Sequence, residues 1–143
     1  MTNIKAIALQ FENKTLPKEH WTHAAHIAVA FVQLEKHKNF ESTLSSLRTC
    51  IKAYNNSVGT ENTDNSGYHE TLTAFWLKVV AEFYASNYQS NIDQVYQSFA
   101  KTILASSKFP LNFYSNELLF STEARQFWVE PDLLPISEIN RFM

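Results

Sequence analysis

The sequence predicts an all-α protein, an up-and-down bundle of four to five helices with an irregular C-terminal segment, built as a single helical domain over residues 1–143. Three observations carry that expectation. Chain-breakers are scarce, with two Gly and four Pro in 143 residues, which disfavours a turn-rich β architecture. Successive segments place apolar residues at i, i+3, i+4 and i+7, the spacing of one helix face. The connections between them are short, which favours antiparallel neighbours.

Taken in order, Ile4, Ile7, Ala8 and Phe11 fit one face of a short first helix. Asn13-Lys14-Thr15-Leu16 breaks it. Thr15 or Leu16 is expected to cap a second helix from about Pro17 to His37, with proline tolerated in the first turn and a stripe of Ile27, Ala30, Phe31 and Leu34. A third helix carries Phe40, Leu44, Leu47, Ile51 and Tyr54. The segment from Asn55 to Gly67 is rich in turn formers, holds both glycines and reads as a loop. The fourth helix has Leu72, Phe75, Trp76, Val79, Val80 and Phe83. The fifth has Ile92, Val95, Tyr96, Phe99 and Ile103, and Pro110 ends the regular part. Beyond it, Pro131 and Pro135 limit the chain to short helical turns and an extended tail.

Composition narrows the function classes. The formal charge is −2, without a run of Lys or Arg, so nucleic-acid binding is not expected. The longest aliphatic-aromatic run, Ile27 to Val32, is far short of a membrane span. The N-terminal Met1-Thr-Asn-Ile-Lys-Ala does not read as a secretory signal. Cys50 is the lone cysteine, which excludes an internal disulfide, points to a cytoplasmic setting and reads as a buried, inert thiol. Aromatic residues make up 14% of the chain and are expected to fill much of the core.

The antiparallel order brings the starts of the second and fourth helices to one end of the bundle, with the Asn55–Gly67 loop and the segment after the fifth helix. Histidines lie at both starts. In "WTHAAH", His23 is four residues before Ile27 and continues its stripe, and His26 is about 60° round the helix from it. In "SGYHETLT", His69 lies three before Leu72 and seven before Trp76. Three imidazoles converging from two helices form a candidate site for a divalent metal ion, zinc, nickel, copper or iron, with His23, His26 and His69 as ligands and an open position for a small-molecule substrate. Glu70, Glu61 and Asp64 are candidates for a fourth ligand, a general base or a partner orienting a ring. Tyr114 and Glu117 are placed to close the pocket from above, and Glu70 and Tyr114 are the candidate catalytic residues. Substrate would enter between the loop and Phe113-Tyr114, for metal-assisted hydrolysis or group transfer.

Bland readings stand beside this one. First-turn histidines can simply bond to loop carbonyls, and Glu70 can cap its helix by reaching back to Gly67. His20 sits among charged neighbours, His37 complements a helix C-terminus, and Trp76 and Trp128 read as packing residues. Two metal-free alternatives follow. One is a small-ligand pocket lined by Trp21, Tyr68 and Tyr114, with histidines as polar anchors. The other is a helical interaction module, such as a homodimer through an apolar helix face. No Gly-rich phosphate loop or nucleophile elbow is present.

Three stretches, "TLPKEHWTHAAHIAVA", "NTDNSGYHETLTAFW" and "NFYSNELLFSTEARQFWVEPDLLPI", resemble a family of small bacterial helical proteins that share W-T-H-x-A-H, G-Y-H-E-T-L-T and W-V-E-P-D elements. The resemblance spans most of the chain and maps onto His23, His26, His69 and Glu70; it implies no particular reaction. At fold level the chain is also similar to DinB-like metal-binding bundles, which hold a divalent metal with three histidines and serve thiol-linked transferases. Their late His-x-x-x-His pair is missing here.

Overall fold

The computed structural model describes residues 3–143, so the Met1-Thr2 start of the stretch read for a secretory signal lies outside the described residues. The fold is all-α, with no strand among the described residues. Helix α1 (Ile4–Glu12) starts where the Asn3 side chain accepts a hydrogen bond from the Ala6 amide, and it buries Ile4, Ala8 and Phe11 as the periodicity requires. The chain then turns through Lys14, whose φ is +60°.

The second helix begins later than its sequence predicts. Pro17 leads into a single 3-10 turn, Lys18–His20, and α2 (His23–His37) begins only where the Thr22 hydroxyl accepts from the Ala25 amide. Thr22, not Thr15 or Leu16, is the cap. This puts His23 and His26 in a true first turn, one side of which must face the interior. Helix α2 ends at Lys38, in the left-handed conformation at φ +71°.

Helix α3 (Phe40–Ser57) is capped by Asn39 and runs into the segment expected to be loop. Helix α4 (Glu70–Ser86) buries Phe75, Leu77, Val79 and Val80 completely. Helix α5 (Ile92–Ala100) stops before Ile103, which lies in a 3-10 turn and is exposed rather than part of the stripe. The C-terminal segment holds two short helices, α6 (Asn116–Leu119) and α7 (Thr122–Gln126), between 3-10 turns.

Helix α2 is central and packs against α1, α3, α4 and α5. The aromatic core lies where α4 meets the C-terminal segment: Phe75 makes edge-on or tilted contacts with Phe109, Phe113 and Tyr114 at 5.3–6.0 Å. A fully buried Phe of this kind stabilises the fold by roughly 3 kcal/mol, so truncating it to alanine would be felt throughout. Cys50 is half-buried, with the Ser46 hydroxyl 3.9 Å from its sulfur. No helix is long and apolar enough to cross a membrane, among the described residues.

The irregular tail is tied to α4 by side chains. The Thr71 hydroxyl donates to the Phe127 carbonyl at 2.8 Å and accepts from the Val129 amide at 3.2 Å, and the Tyr114 hydroxyl donates to the Val129 carbonyl at 2.7 Å.

Candidate functional site

A cavity of about 510 Å³ opens between the first turns of α2 and α4 and the C-terminal half of α3. Trp21, His23, His26, Tyr68, His69 and Trp76 line it, over aliphatic side chains of which Ile27, Leu47, Ile51 and Leu72 are four. Residues 23, 26 and 69 therefore line one cavity, because α2 and α4 point the same way while α3 returns between them. The loop before α4 forms part of the wall. Gly67, at φ +77°, lets that loop pass close to the Glu61 carbonyl and Asn62, where a Cβ would have no room. Asn62 knits the loop to α3 by accepting from the Tyr68 amide and the Asn55 side chain, each at 3.0 Å, and by donating to the Lys52 carbonyl.

The ring nitrogens decide what the histidines can do. His69 is the N-cap of α4: its Nδ1 accepts from the Leu72 amide at 3.0 Å. Its Nε2 must then carry the proton, and it donates to the Leu119 carbonyl at 2.7 Å. Both nitrogens are engaged, and burial lowers the imidazole pKa below its ordinary value. His23 donates from Nε2 to the Ala105 carbonyl at 3.0 Å and packs tilted against Trp76, with ring centroids 4.8 Å apart. His26 donates from Nδ1 to the Thr22 carbonyl at 2.8 Å. Its ring stacks on Trp21 at 3.7 Å, and Trp21 stacks in turn on Phe11 at 4.5 Å.

Desolvation outweighs the Thr22 carbonyl and, with a contribution from nearby His23, holds His26 down at about 4. The residue as a whole is nevertheless exposed by area. The two facts agree if its accessible surface opens on the concave cavity rather than on bulk water, so that protein surrounds a ring that a small molecule can still touch.

This arrangement does not fit a three-imidazole metal centre. Such a centre needs a free lone pair on each ring. Here His69 has none, which leaves the Nδ1 of His23 and the Nε2 of His26. Among the described residues no group of three or more His, Cys, Asp or Glu side chains is placed to hold a metal ion.

The acids expected nearby are elsewhere. Glu70 is the first residue of α4 and faces α3, where Arg48 donates to it from Nε at 2.9 Å and from a terminal nitrogen at 2.8 Å, and the Tyr68 hydroxyl donates at 2.7 Å. Burial raises the Glu70 carboxyl, but Arg48 and Tyr68 outweigh it and hold the group below the usual range. A carboxylate so stabilised is a poor base and has no place in the cavity lining. Its effect is indirect: it anchors the hydroxyl of Tyr68, whose ring is a wall.

Tyr114 is fully buried against Phe75 and Trp128 and does not close the cavity; the Val129 carbonyl takes its hydroxyl proton. Phe113, likewise fully buried, is no entrance. Asp64 accepts from Gln126 at 2.9 Å on the surface, and Glu61, Glu117 and His20 are exposed. None of these lines the cavity.

Trp76, expected only to pack, is a cavity wall, and the role of Arg48 does not follow from the helix periodicity. One signal was present for the latter: Arg48 lies beside the Leu44–Leu47–Ile51 stripe with no acid three or four residues away in its own helix.

No protein-family model matches the chain, and no curated protein or solved structure does either.

Proposed function

We propose that the protein binds a small, largely apolar organic molecule in the cavity between α2, α3 and α4, without a metal, with His23 and His26 as its polar anchors. The observation that carries this is the composition of a partly open cavity of about 510 Å³: aromatic and aliphatic walls with a few polar atoms. Small-molecule sites commonly have this size and make-up, roughly 300–1,000 Å³ with sparse polar groups fixing orientation. The walls come from helix starts held by caps and carbonyl bonds, so the site is preorganised. The lone half-buried Cys50 suits a cytoplasmic protein.

A second reading has one observation in its favour. His23 and His26 each give one N–H to a backbone carbonyl, the arrangement that orients metal-binding imidazoles, and each keeps one lone pair. Two imidazoles with water would hold a divalent metal weakly, for hydrolysis or group transfer.

One experiment separates the two. A ¹⁵N-labelled sample is titrated with benzene-sized apolar fragments and, separately, with zinc. The first reading expects fragment-induced shifts at Trp21, Tyr68 and Trp76 and none beyond non-specific broadening from zinc. Absence of any fragment effect at millimolar concentration would overturn it, and saturable zinc binding lost in His23→Ala would favour the second.

A further inference from the structure

The cavity's charge and hydrogen-bond polarity go further than its size and, granted that it is a ligand site as proposed above, specify a class of occupant. We propose that it selects an uncharged, flat ring compound bearing an N–H or O–H group, held by donation to the Nε2 of His26 and the Nδ1 of His23.

Charge comes first. Not one Asp, Glu, Lys or Arg is among the residues lining the cavity. The nearby acid, Glu70, already has the Arg48 guanidinium and the Tyr68 hydroxyl. A carboxylate or phosphate entering this space would find no cation, and an ammonium no carboxylate. Burying an unpaired charge is far costlier than burying a neutral polar group. Desolvation also holds His26 neutral, so it supplies no positive charge to an anion.

Direction comes second. A carbonyl can only accept, so the Ala105 carbonyl requires a proton on the Nε2 of His23, and the Thr22 carbonyl requires one on the Nδ1 of His26. In the singly protonated form of either ring the remaining nitrogen is a lone-pair acceptor. Two other wall donors are engaged within the protein: the Tyr68 hydroxyl donates to Glu70 and the Thr73 hydroxyl to the His69 carbonyl. At the imidazoles the atoms left over are acceptors, so a ligand gains by bringing a donor there and loses by presenting a bare carbonyl or ether oxygen to them.

Shape comes third. Four aromatic residues, Trp21, His26, Tyr68 and Trp76, line the cavity, and the His26 ring is stacked on Trp21. Flat rings slot between such faces by offset stacking or edge contact.

The test compares three probes of similar size at pH 8 by calorimetry and by ¹⁵N spectra of the full chain: indole, which has an N–H; benzofuran, its counterpart with an ether oxygen; and indole-3-carboxylate, which adds a negative charge. Indole should bind about tenfold tighter than either of the others, the worth of one good hydrogen bond. His26→Phe keeps a ring on Trp21 but removes the acceptor, and it should bring indole down towards the benzofuran level.

If benzofuran matches indole while the cavity signals still shift, donor selection is overturned and the ligand site stands. If the carboxylate binds as well as indole, the requirement for an uncharged ligand is overturned. If no probe moves the signals of Trp21 or Trp76, the ligand site itself falls, and this inference with it. The wild-type comparison decides these outcomes even if His26→Phe fails to fold.

Discussion

Replacing His69 with alanine removes two hydrogen bonds through one ring. The first is the cap on α4, where Nδ1 accepts from the Leu72 amide; losing a good N-cap costs about 1 kcal/mol. The second is the bond from Nε2 to the carbonyl of Leu119, a residue that is 1% exposed. A buried carbonyl left without a partner costs roughly 1–3 kcal/mol, and the adjoining cavity would let water relieve some of that. The expected loss for His69→Ala is therefore about 2–3 kcal/mol, read as a lower midpoint in urea denaturation with an unchanged slope. Asparagine is among the best N-caps, but its shorter side chain does not span to Leu119, so His69→Asn should recover about 1 kcal/mol of the loss. A loss under about 0.5 kcal/mol for alanine, or no recovery with asparagine, would refute the structural role argued for this ring. The wild-type midpoint should also be indifferent to a chelator; a chelator-induced drop that vanishes in His69→Ala would return the ring to metal binding.

Tyr114→Phe should cost about 1–2 kcal/mol in urea denaturation by orphaning the Val129 carbonyl, while leaving the affinity of a cavity-bound probe unchanged. Gly67→Ala should lose more than about 1 kcal/mol, since its Cβ would meet the Glu61 carbonyl and Asn62, and Gly59→Ala should be milder because open space surrounds that position; equal effects would contradict the loop geometry. Glu70→Gln weakens the two-pronged bond from Arg48 and should cost about 1 kcal/mol, discounted because the Arg48 side chain is 40% exposed; a double-mutant cycle with Arg48→Ala measures the coupling. The folded-state pKa of His26, about 4, lies below the ordinary imidazole value, so the unfolded chain takes up a proton first as pH falls. Stability is then lost progressively from about pH 6.5 down towards the folded value, and His26→Phe should flatten part of that slope in melts from pH 7 to pH 4.

Much of the helical layout was legible because burial imposes its period on the sequence. Helix α4 shows this best, with Phe75, Val79, Val80 and Phe83 on one face. That His23, His26 and His69 line one cavity was legible for a topological reason: short connections reverse the chain, so alternate helices start at the same end. What those rings do there was not. A histidine in the first turn of a helix has the same spacing whether it binds a metal or caps the helix, and the choice for His69 rests on the Leu119 carbonyl, fifty residues away in the chain. Glu70 misled for a similar reason, since its partner Arg48 stands on a different helix. The start of α2 was misplaced because Pro17-Lys18-Glu19-His20 carries plausible helix-start residues, and nothing local shows that Thr22 offers the better cap. Tyr114 sits in a segment without period, where sequence patterns say little about which way a ring faces.

The manner in which α4 holds the tail has a consequence for the sequence. His69 and Thr71 grip main-chain groups at residues 119, 127 and 129, and Tyr114 grips one of them as well. Every amino acid offers a main-chain carbonyl, and all but proline an amide, so the grip itself does not dictate the side chains at 119, 127 and 129. The constraint of this grip falls instead on the three gripping side chains, which require residues of the same reach at 69, 71 and 114.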